Sequence, residues 1–312
     1  MQYHHIPAMP VEVAGYLNCR PGKTYVDCTL GGCGHAVDIC KRIIPDGLLI
    51  GIDQDMDAIK NAKIKLRPYE HCIHLFNDNF TNLKTILSHL NISSADGILL
   101  DLGLSLYQLE SSGRGFSFQR DEPLDMRMNI QSAITAEEII NKSSEERLRK
   151  IFSDYGEEHR AKQIAHKLVK IRKHKPIKTS EQLAGIVAGA ATKGKPVYQK
   201  IHPATRVFMA LRIAVNKELE RLESFMENVA DYLNPGGRLC VLSFHSLEDR
   251  IVKRKIKILE KGCICPPQFP KCVCNKKSVL RSLTKRVIRP TKEEIAKNPM
   301  ARSARLRAAE KI

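Results

Sequence analysis

Three aspartates close apolar, strand-like runs in the first third of the chain, and a glycine-rich turn follows the first of them. Asp27 ends the run Thr24-Tyr25-Val26-Asp27, Asp53 ends Leu48-Leu49-Ile50-Gly51-Ile52-Asp53, and Asp101 ends Gly97-Ile98-Leu99-Leu100-Asp101. Thr29-Leu30-Gly31-Gly32-Cys33-Gly34-His35 lies after the first. Small residues there let backbone approach a ligand closely and take up positive φ. The pattern is not the G-x-G-x-x-G of a dinucleotide site. Its looser form suits a nucleoside that carries an amino acid better than it suits a pyrophosphate. Asp53 stands about 20 residues beyond the turn, where a carboxylate accepts both hydroxyls of a ribose. Alone, the turn reads equally well as a plain tight turn. Acids at the ends of strands one, two and four make a nucleoside cofactor the better reading.

Three other groups carry chemistry. Cys263-Ile-Cys265 and Cys272-Val-Cys274 are two C-x-C pairs separated by six residues in a proline-containing loop. Four thiolates so placed can hold zinc tetrahedrally, although the spacing departs from the common C-x-x-C. A reduced or redox-labile loop is the other reading, and no metal ligand is assigned on sequence. Phe116 and Phe118, with Arg114, Arg120 and Arg127 nearby, can stack bases and grip phosphates as readers of single-stranded RNA do. Both rings could equally be core. His245, Glu248, Asp249 and Arg250 follow a late strand, either lining a pocket or forming a structural hydrogen-bond cluster.

The elements that must position these groups alternate. After the first strand come a short helix (36–44), the second strand, a helix (56–66), a third strand (72–76), a helix (80–90) and the fourth strand. Strands alternating with helices give an α/β fold with a doubly wound, mostly parallel sheet, whose ligands sit at the carboxyl ends of the strands. From residue 131 to 203 the segments are helical and highly charged, read as an insertion. The sheet then resumes with a long helix (204–233), a turn at Asn234-Pro235-Gly236-Gly237 and a strand (238–244). The expected division is 1–130, 131–203 and 204–312, the last part ending in a basic tail.

Bulk properties narrow the partners. The 312 residues carry 51 Lys and Arg against 34 Asp and Glu, a formal charge of +17. Such a surplus suits a polyanion, because each cation placed near a phosphate releases a counterion. No apolar run approaches the roughly 20 residues of a membrane span, and the N-terminal Met1-Gln2-Tyr3-His4-His5 lacks a signal-peptide core. A cytoplasmic protein is expected.

The motifs together resemble those of the RsmH (MraW) family of ribosomal RNA methyltransferases. The resemblance rests on Tyr25-Val26-Asp27-Cys28-Thr29-Leu30-Gly31-Gly32-Cys33-Gly34-His35 and on His5-Ile6-Pro7. It continues at Asp96-Gly97-Ile98-Leu99-Leu100-Asp101-Leu102-Gly103-Leu104-Ser105 and at Arg114-Gly115-Phe116-Ser117-Phe118. Further blocks are Pro123-Leu124-Asp125-Met126-Arg127-Met128, Lys200-Ile201-His202-Pro203-Ala204-Thr205-Arg206, Ser243-Phe244-His245-Ser246-Leu247-Glu248-Asp249-Arg250 and Arg302-Ser303-Ala304-Arg305-Leu306-Arg307. It implies a class I, Rossmann-like methyltransferase with a helical, substrate-recognising insertion. It also implies S-adenosyl-L-methionine as cofactor and the N4 amine of a cytidine in the decoding region of 16S rRNA as substrate, in the small ribosomal subunit. A homodimer is compatible with it. The implied cofactor contacts are Cys33, Gly34 and His35 in the turn, Asp53 at the ribose, Phe80 beside the adenine, Asp101 and Gln108. Asp101 is also the expected catalytic residue, facing the cofactor while Ser105 or a nearby carbonyl meets the amine. This chain departs from the family in carrying Cys33 where glycine is usual, Leu106-Tyr107 before Gln108, and Met300 where an arginine is usual. Competing readings are a methyltransferase of the same fold acting on DNA or a small molecule, and a non-catalytic RNA-binding protein. The absence of an Asp/Asn-Pro-Pro-aromatic motif after Asp101 argues against ordinary DNA amino-methylation, and the basic surplus against a small substrate.

Overall fold

The structure is a computed structural model that describes residues 6–191 and 202–312, apart from 264, 267 and 275. His5, Lys200 and Ile201, which the sequence motifs include, lie outside the described residues. The chain forms two compact units, one made of Met1–Leu104 with Leu219–Ile312, the other of Ser105–Glu218. The sequence division places the insertion at 131–203.

In the first unit, α1 (Pro10–Leu17) precedes β1 (Thr24–Asp27), α2 (Gly34–Ile43), β2 (Leu48–Asp53), α3 (Met56–Lys65), β3 (Ile73–Asn77), α4 (Leu83–His89) and β4 (Ala95–Asp101). The second unit holds α5 (Leu106–Glu110), α6 (Ala136–Lys142), α7 (Glu145–Asp154), α8 (Ala161–Arg172), α9 (Ser180–Ala191) and α10 (Ala204–Asn216). The chain then completes the first unit with α11 (Glu218–Asn228), β5 (Leu233–Ser243), α12 (Ser246–Lys261), β6 (Leu280–Ser282), α13 (Lys292–Lys297) and β7 (Arg305–Lys311).

The seven strands lie in the order β3-β2-β1-β4-β5-β7-β6. β1 to β5 are parallel, and β7 runs antiparallel between β5 and β6. This is the expected mostly parallel, doubly wound α/β architecture. Side chains alternate across a strand, and here the alternation feeds two cores. Val26, Ile50, Ile98 and Leu100 join Phe225, Met226 and Val252 on one face. Tyr25, Leu49 and Leu99 join Val13, Ile39 and Ile59 on the other. Burial on both faces is why these strands read as continuous apolar runs.

The order reverses at β1, with β2 on one side and β4 on the other. Such a switch point opens a crevice at the carboxyl ends of the strands. The parallel register lines up Asp53 with Asn77, and Asp101 with Leu242, so the acids reach a common rim.

The structure differs from expectation in four places. The helix expected over 204–233 is two helices, because Lys217 adopts a left-handed conformation (φ 50°, ψ 43°) and ends α10. The helix expected from Phe80 starts as a 3-10 turn, Phe80–Asn82, before α4. Asn234-Pro235-Gly236-Gly237 is not a free turn but part of β5, entered through an irregularity opposite Ala95 and Gly97. The basic tail supplies β6, α13 and β7, with Arg307 only 9% exposed. Its guanidinium reaches Asp249 of α12 through Nε at 2.6 Å and Nη2 at 3.2 Å, which neutralises the charge within the sheet.

Within the second unit, described by itself, each helix buries an i, i+3/i+4 stripe: Leu148, Ile151 and Phe152 on α7, Ile164, Ala165 and Leu168 on α8, Val207, Phe208 and Leu211 on α10. Asn216 donates to the Met126 carbonyl and accepts from the Met128 N–H, both at 2.8 Å.

Candidate functional site

The glycine-rich turn is held from beneath by Asp53. Asp53 Oδ2 accepts from the Gly31 N–H at 2.9 Å, and Oδ1 accepts from the Asp55 N–H at 2.8 Å. These two bonds fix the carboxylate against the turn. The carbonyls of the turn are tied down from α3: Asn61 Nδ2 donates to the Gly31 carbonyl at 3.4 Å, and Lys65 Nζ to that of Gly32 at 3.1 Å. Cys33 then turns the chain into α2 with φ 65° and ψ 14°. Its N–H donates back to the Leu30 carbonyl at 2.6 Å. Cys33 is 1% exposed, and burial pushes its thiol up to about 12, so it is a neutral packing group. Gly34 opens α2 under Pro7, where an added Cβ would stand 2.8 Å from the proline ring. No side chain fits between them.

Asp27 and Asp101 flank the switch point. Burial is the largest cause raising both carboxyls. Asp27 rises to about 7, opposed by the Thr29 N–H that it accepts at 3.1 Å and reinforced by Asp53. Asp101 rises to about 8, with Asp27 and then Glu248 adding to the effect. Both groups therefore hold protons near neutral pH, and a cation arriving beside them favours the ionised forms. His35 Nε2, in the first turn of α2, stands 3.7 Å from Asp101 Oδ2. Asp101 Oδ1 is buried with no hydrogen-bond partner among the described residues.

The first unit thus brings Cys33, Gly34, His35, Asp53 and Asp101 to one rim. Phe80 follows β3, 8% exposed, its ring edge-on to Phe225 at 5.3 Å, so it is chiefly a core side chain at the margin of the rim. Gln108 belongs to the second unit. It forms a capping box with Ser105: the Ser105 N–H donates to Gln108 Oε1 at 3.0 Å, and the Gln108 N–H to Ser105 Oγ at 3.2 Å. Leu106-Tyr107 are the first residues of α5, and this cap forms around them.

The loop expected to face nucleic acid is braced internally. Arg114 is 7% exposed; its Nη1 donates to the carbonyls of Arg127 and Met128 at 3.0 and 3.1 Å. Arg127 forks onto Asp125 at 2.7 and 2.8 Å. Arg120 donates to the Glu110 carbonyl. These guanidiniums hold the loop's shape, Arg120 remains exposed, and Phe116 is buried. Phe118 is half-buried, stacked on His202 at 4.7 Å. Glu248 Oε2 accepts from the Phe244 and His245 N–H groups at 2.9 and 3.3 Å, and Oε1 lies 3.1 Å from His245 Nε2. Of the two sequence readings for this cluster, the geometry matches the structural one, a cap on α12.

Sequence reasoning missed Thr29, whose hydroxyl accepts from the Asp101 N–H at 2.6 Å. It also missed Gln54, which accepts from Asn79 Nδ2 at 3.1 Å and from Arg221 Nη1 at 2.5 Å beside Asp53. A polar residue within two positions of a strand-ending acid was the available signal for both.

A family model described as the MraW methylase family matches residues 2–312. Ribosomal RNA small subunit methyltransferase H of Desulfosudis oleivorans is 53% identical, with 100% of each chain covered. The proteins of that name in Desulforapulum autotrophicum and Clostridioides difficile are 55% and 43% identical, again with 100% of each chain covered.

Proposed function

The chain belongs to the MraW methylase family, and from that premise we propose that it transfers a methyl group from S-adenosyl-L-methionine to the exocyclic N4 amine of a cytidine in small-subunit ribosomal RNA. The observation that carries the reading is the buried Asp101 Oδ1, an acceptor with no hydrogen-bond partner among the described residues. It stands at the carboxyl end of β4, beside a turn that only small residues can build. Leaving such a group unsatisfied is costly, and a donor on a ligand would relieve it.

S-adenosyl-L-methionine supplies, when bound, a methyl group on a positively charged sulfonium. Asp53, at the carboxyl end of β2, would take the ribose hydroxyls. The first N–H groups of α2, at Gly34 and His35, would hold the carboxylate. Phe80 would offer its free edge to the adenine. Asp101 and Asp27 would oppose the positive charge, and that charge would shift both toward the ionised form.

Cytosine N4 is a weak nucleophile because its lone pair is delocalised into the ring, so acceptors for the amino hydrogens assist it. Asp101, raised to about 8 by burial, would be ionised beside the cofactor's positive charge and could accept the proton that the amine loses as that charge disappears with the methyl group. Ser105 is the expected acceptor for the amine. The second, helical unit is assigned to substrate recognition. The exposed Lys276, Lys277, Lys285, Arg286, Arg289 and Arg302, with the net charge of +17, favour a polyanion. Among the described residues no helix is long and apolar enough to cross a membrane.

The test incubates the protein with methyl-labelled cofactor and, separately, unmodified small subunits, naked small-subunit RNA and DNA, then maps the label. The expected result is N4-methylcytidine at one RNA position, lost in Asp53→Ala and strongly reduced in Asp101→Asn. Label only in DNA, or on another base, rejects the proposal.

A further inference from the structure

The loop between α12 and β6 has a closed neck. The Val279 N–H donates to the Leu259 carbonyl at 3.0 Å. Gly262, at φ +69°, lies so close to the backbone of Lys277 and Ser278 that an added Cβ would come within 2.4 Å of the Ser278 nitrogen. Beyond that neck the described residues of the excursion form no helix or strand. Phe269 is 51% exposed and Val273 67%. Four sulfur atoms gather beside them, with Cys272 exposed and Cys263, Cys265 and Cys274 half-buried.

The sulfur positions are specific. Cys263, Cys265, Cys272 and Cys274 form no disulfide, and their Sγ atoms lie within 4.8 Å of one another. Cys272 Sγ is 3.5 Å from Cys263, 3.5 Å from Cys274 and 4.0 Å from Cys265; Cys274 is 3.8 Å from Cys263. A zinc ion bound tetrahedrally by thiolates at about 2.3 Å sets its ligands on a tetrahedron of edge about 3.8 Å. The four separations bracket that edge. The Val273 N–H donates to Cys265 Sγ at 3.4 Å, the kind of outer hydrogen bond that orients a thiolate ligand.

We propose that Cys263, Cys265, Cys272 and Cys274 form a structural zinc site that folds the loop between α12 and β6, by the convergence of their four sulfur atoms at the edge of a tetrahedral ion in a loop where Phe269 and Val273 face solvent. Four thiolates and one divalent ion leave two negative charges. Lys261, Lys271, Lys276 and Lys277, all exposed in or beside the loop, offset them. Four protein ligands fill the coordination shell, so the ion holds no water and performs no chemistry, as in closed structural sites. A thiolate-only set selects zinc or iron among the common cations. The iron–sulfur alternative needs bridging sulfides that spread the cysteines farther apart than one ion does. The site is independent of the methyl-transfer reading.

The test is elemental analysis and native mass spectrometry of the full chain purified without chelator. The expected result is about one zinc per chain, lost in Cys272→Ser/Cys274→Ser and retained in the control Cys19→Ser. Because the double variant could misfold, wild-type protein is also stripped with a chelator and digested briefly. Cleavage within residues 263–278 should rise about tenfold and fall back when zinc is restored, while affinity for the methyl donor stays within about twofold. Iron in place of zinc overturns the assignment. So does metal-free protein with four titratable thiols or two disulfides, or a chelator that leaves the cleavage rate unchanged.

Discussion

The Asp101 backbone N–H donates to the Thr29 hydroxyl at 2.6 Å, across 72 residues of chain. This bond sets the distance between the turn after β1 and the end of β4, the two segments that frame the switch point. Thr29→Val keeps the shape and removes the acceptor, leaving the Asp101 N–H without its partner. The expected cost is about 1–2 kcal/mol, read by urea unfolding. Thr29→Ser should recover most of it. Equal stability for the Val and Ser variants would show that the hydroxyl contributes only its volume.

The raised carboxyls make stability depend on pH. A carboxyl whose pKa rises on folding adds stability at low pH, below its unfolded value, and loses that contribution as pH climbs through its folded value. With Asp27 at about 7 and Asp101 at about 8, stability should fall between roughly pH 4 and 8. The limiting slope is about 1.4 kcal/mol per pH unit for each group. Asp101→Asn removes one of the two contributions, so its thermal midpoint should decline less between pH 5 and 8.5 than that of the wild type. Parallel curves would contradict the raised Asp101 value.

The same groups predict how cofactor affinity varies. A positively charged sulfonium favours ionised Asp27 and Asp101, so its binding expels protons. Affinity should rise from pH 6 to about 8 and level off above that. The demethylated product, with a neutral sulfur, should show a weaker rise. Calorimetry in buffers of different ionisation enthalpy measures the protons released; none released for the sulfonium would remove these carboxylates from the site.

Cys33 carries a side chain in the left-handed conformation, which costs about 1 kcal/mol for a non-glycine residue. Cys33→Gly gives up some buried contact and relieves that strain. Stability should stay within about 1 kcal/mol of wild type, and donor affinity within about threefold. Cys33→Val places a β-branched residue at φ 65° and should lose about 2 kcal/mol. A tenfold affinity loss in Cys33→Gly, measured by calorimetry, would show that the thiol itself touches the ligand.

Two tail arginines should behave differently. Arg307 pairs with Asp249 at 2.6 Å and is 9% exposed, so Arg307→Ala leaves a half-buried carboxylate without its cation and should lower the thermal midpoint by several degrees, an effect of about 2 kcal/mol. Arg302 is exposed; Arg302→Ala should leave the midpoint within about 1 °C while weakening RNA binding and reducing its salt dependence.

Much of this was legible in the residues. Strands β1, β2 and β4 are buried on both faces, so each is a continuous apolar run, and the acids that end them stand out against it. The tail strands were not legible for the same reason in reverse. Leu306-Arg307-Ala308-Ala309 is buried, yet an arginine in its centre reads as surface until its partner on α12 is known. The break at Lys217 carries no glycine or proline to announce it, and the apolar period runs on through it. At the site, the glycine turn and its acids were visible because their chemistry is local. The engagement of Arg114 and Arg127 with nearby carbonyls was not, because an arginine's side chain reaches either protein or phosphate from the same position.

β7 is the last strand in chain order, and it lies inside the sheet, between β5 and β6. During synthesis the flank of β5 therefore stays unpaired until residues 305–311 emerge. Until then the nascent chain carries an open strand edge beside an apolar core, the kind of surface that pairs with the wrong neighbour. Completion of the sheet is a threading event between two strands already made, so residues 305–311 decide when that open edge closes.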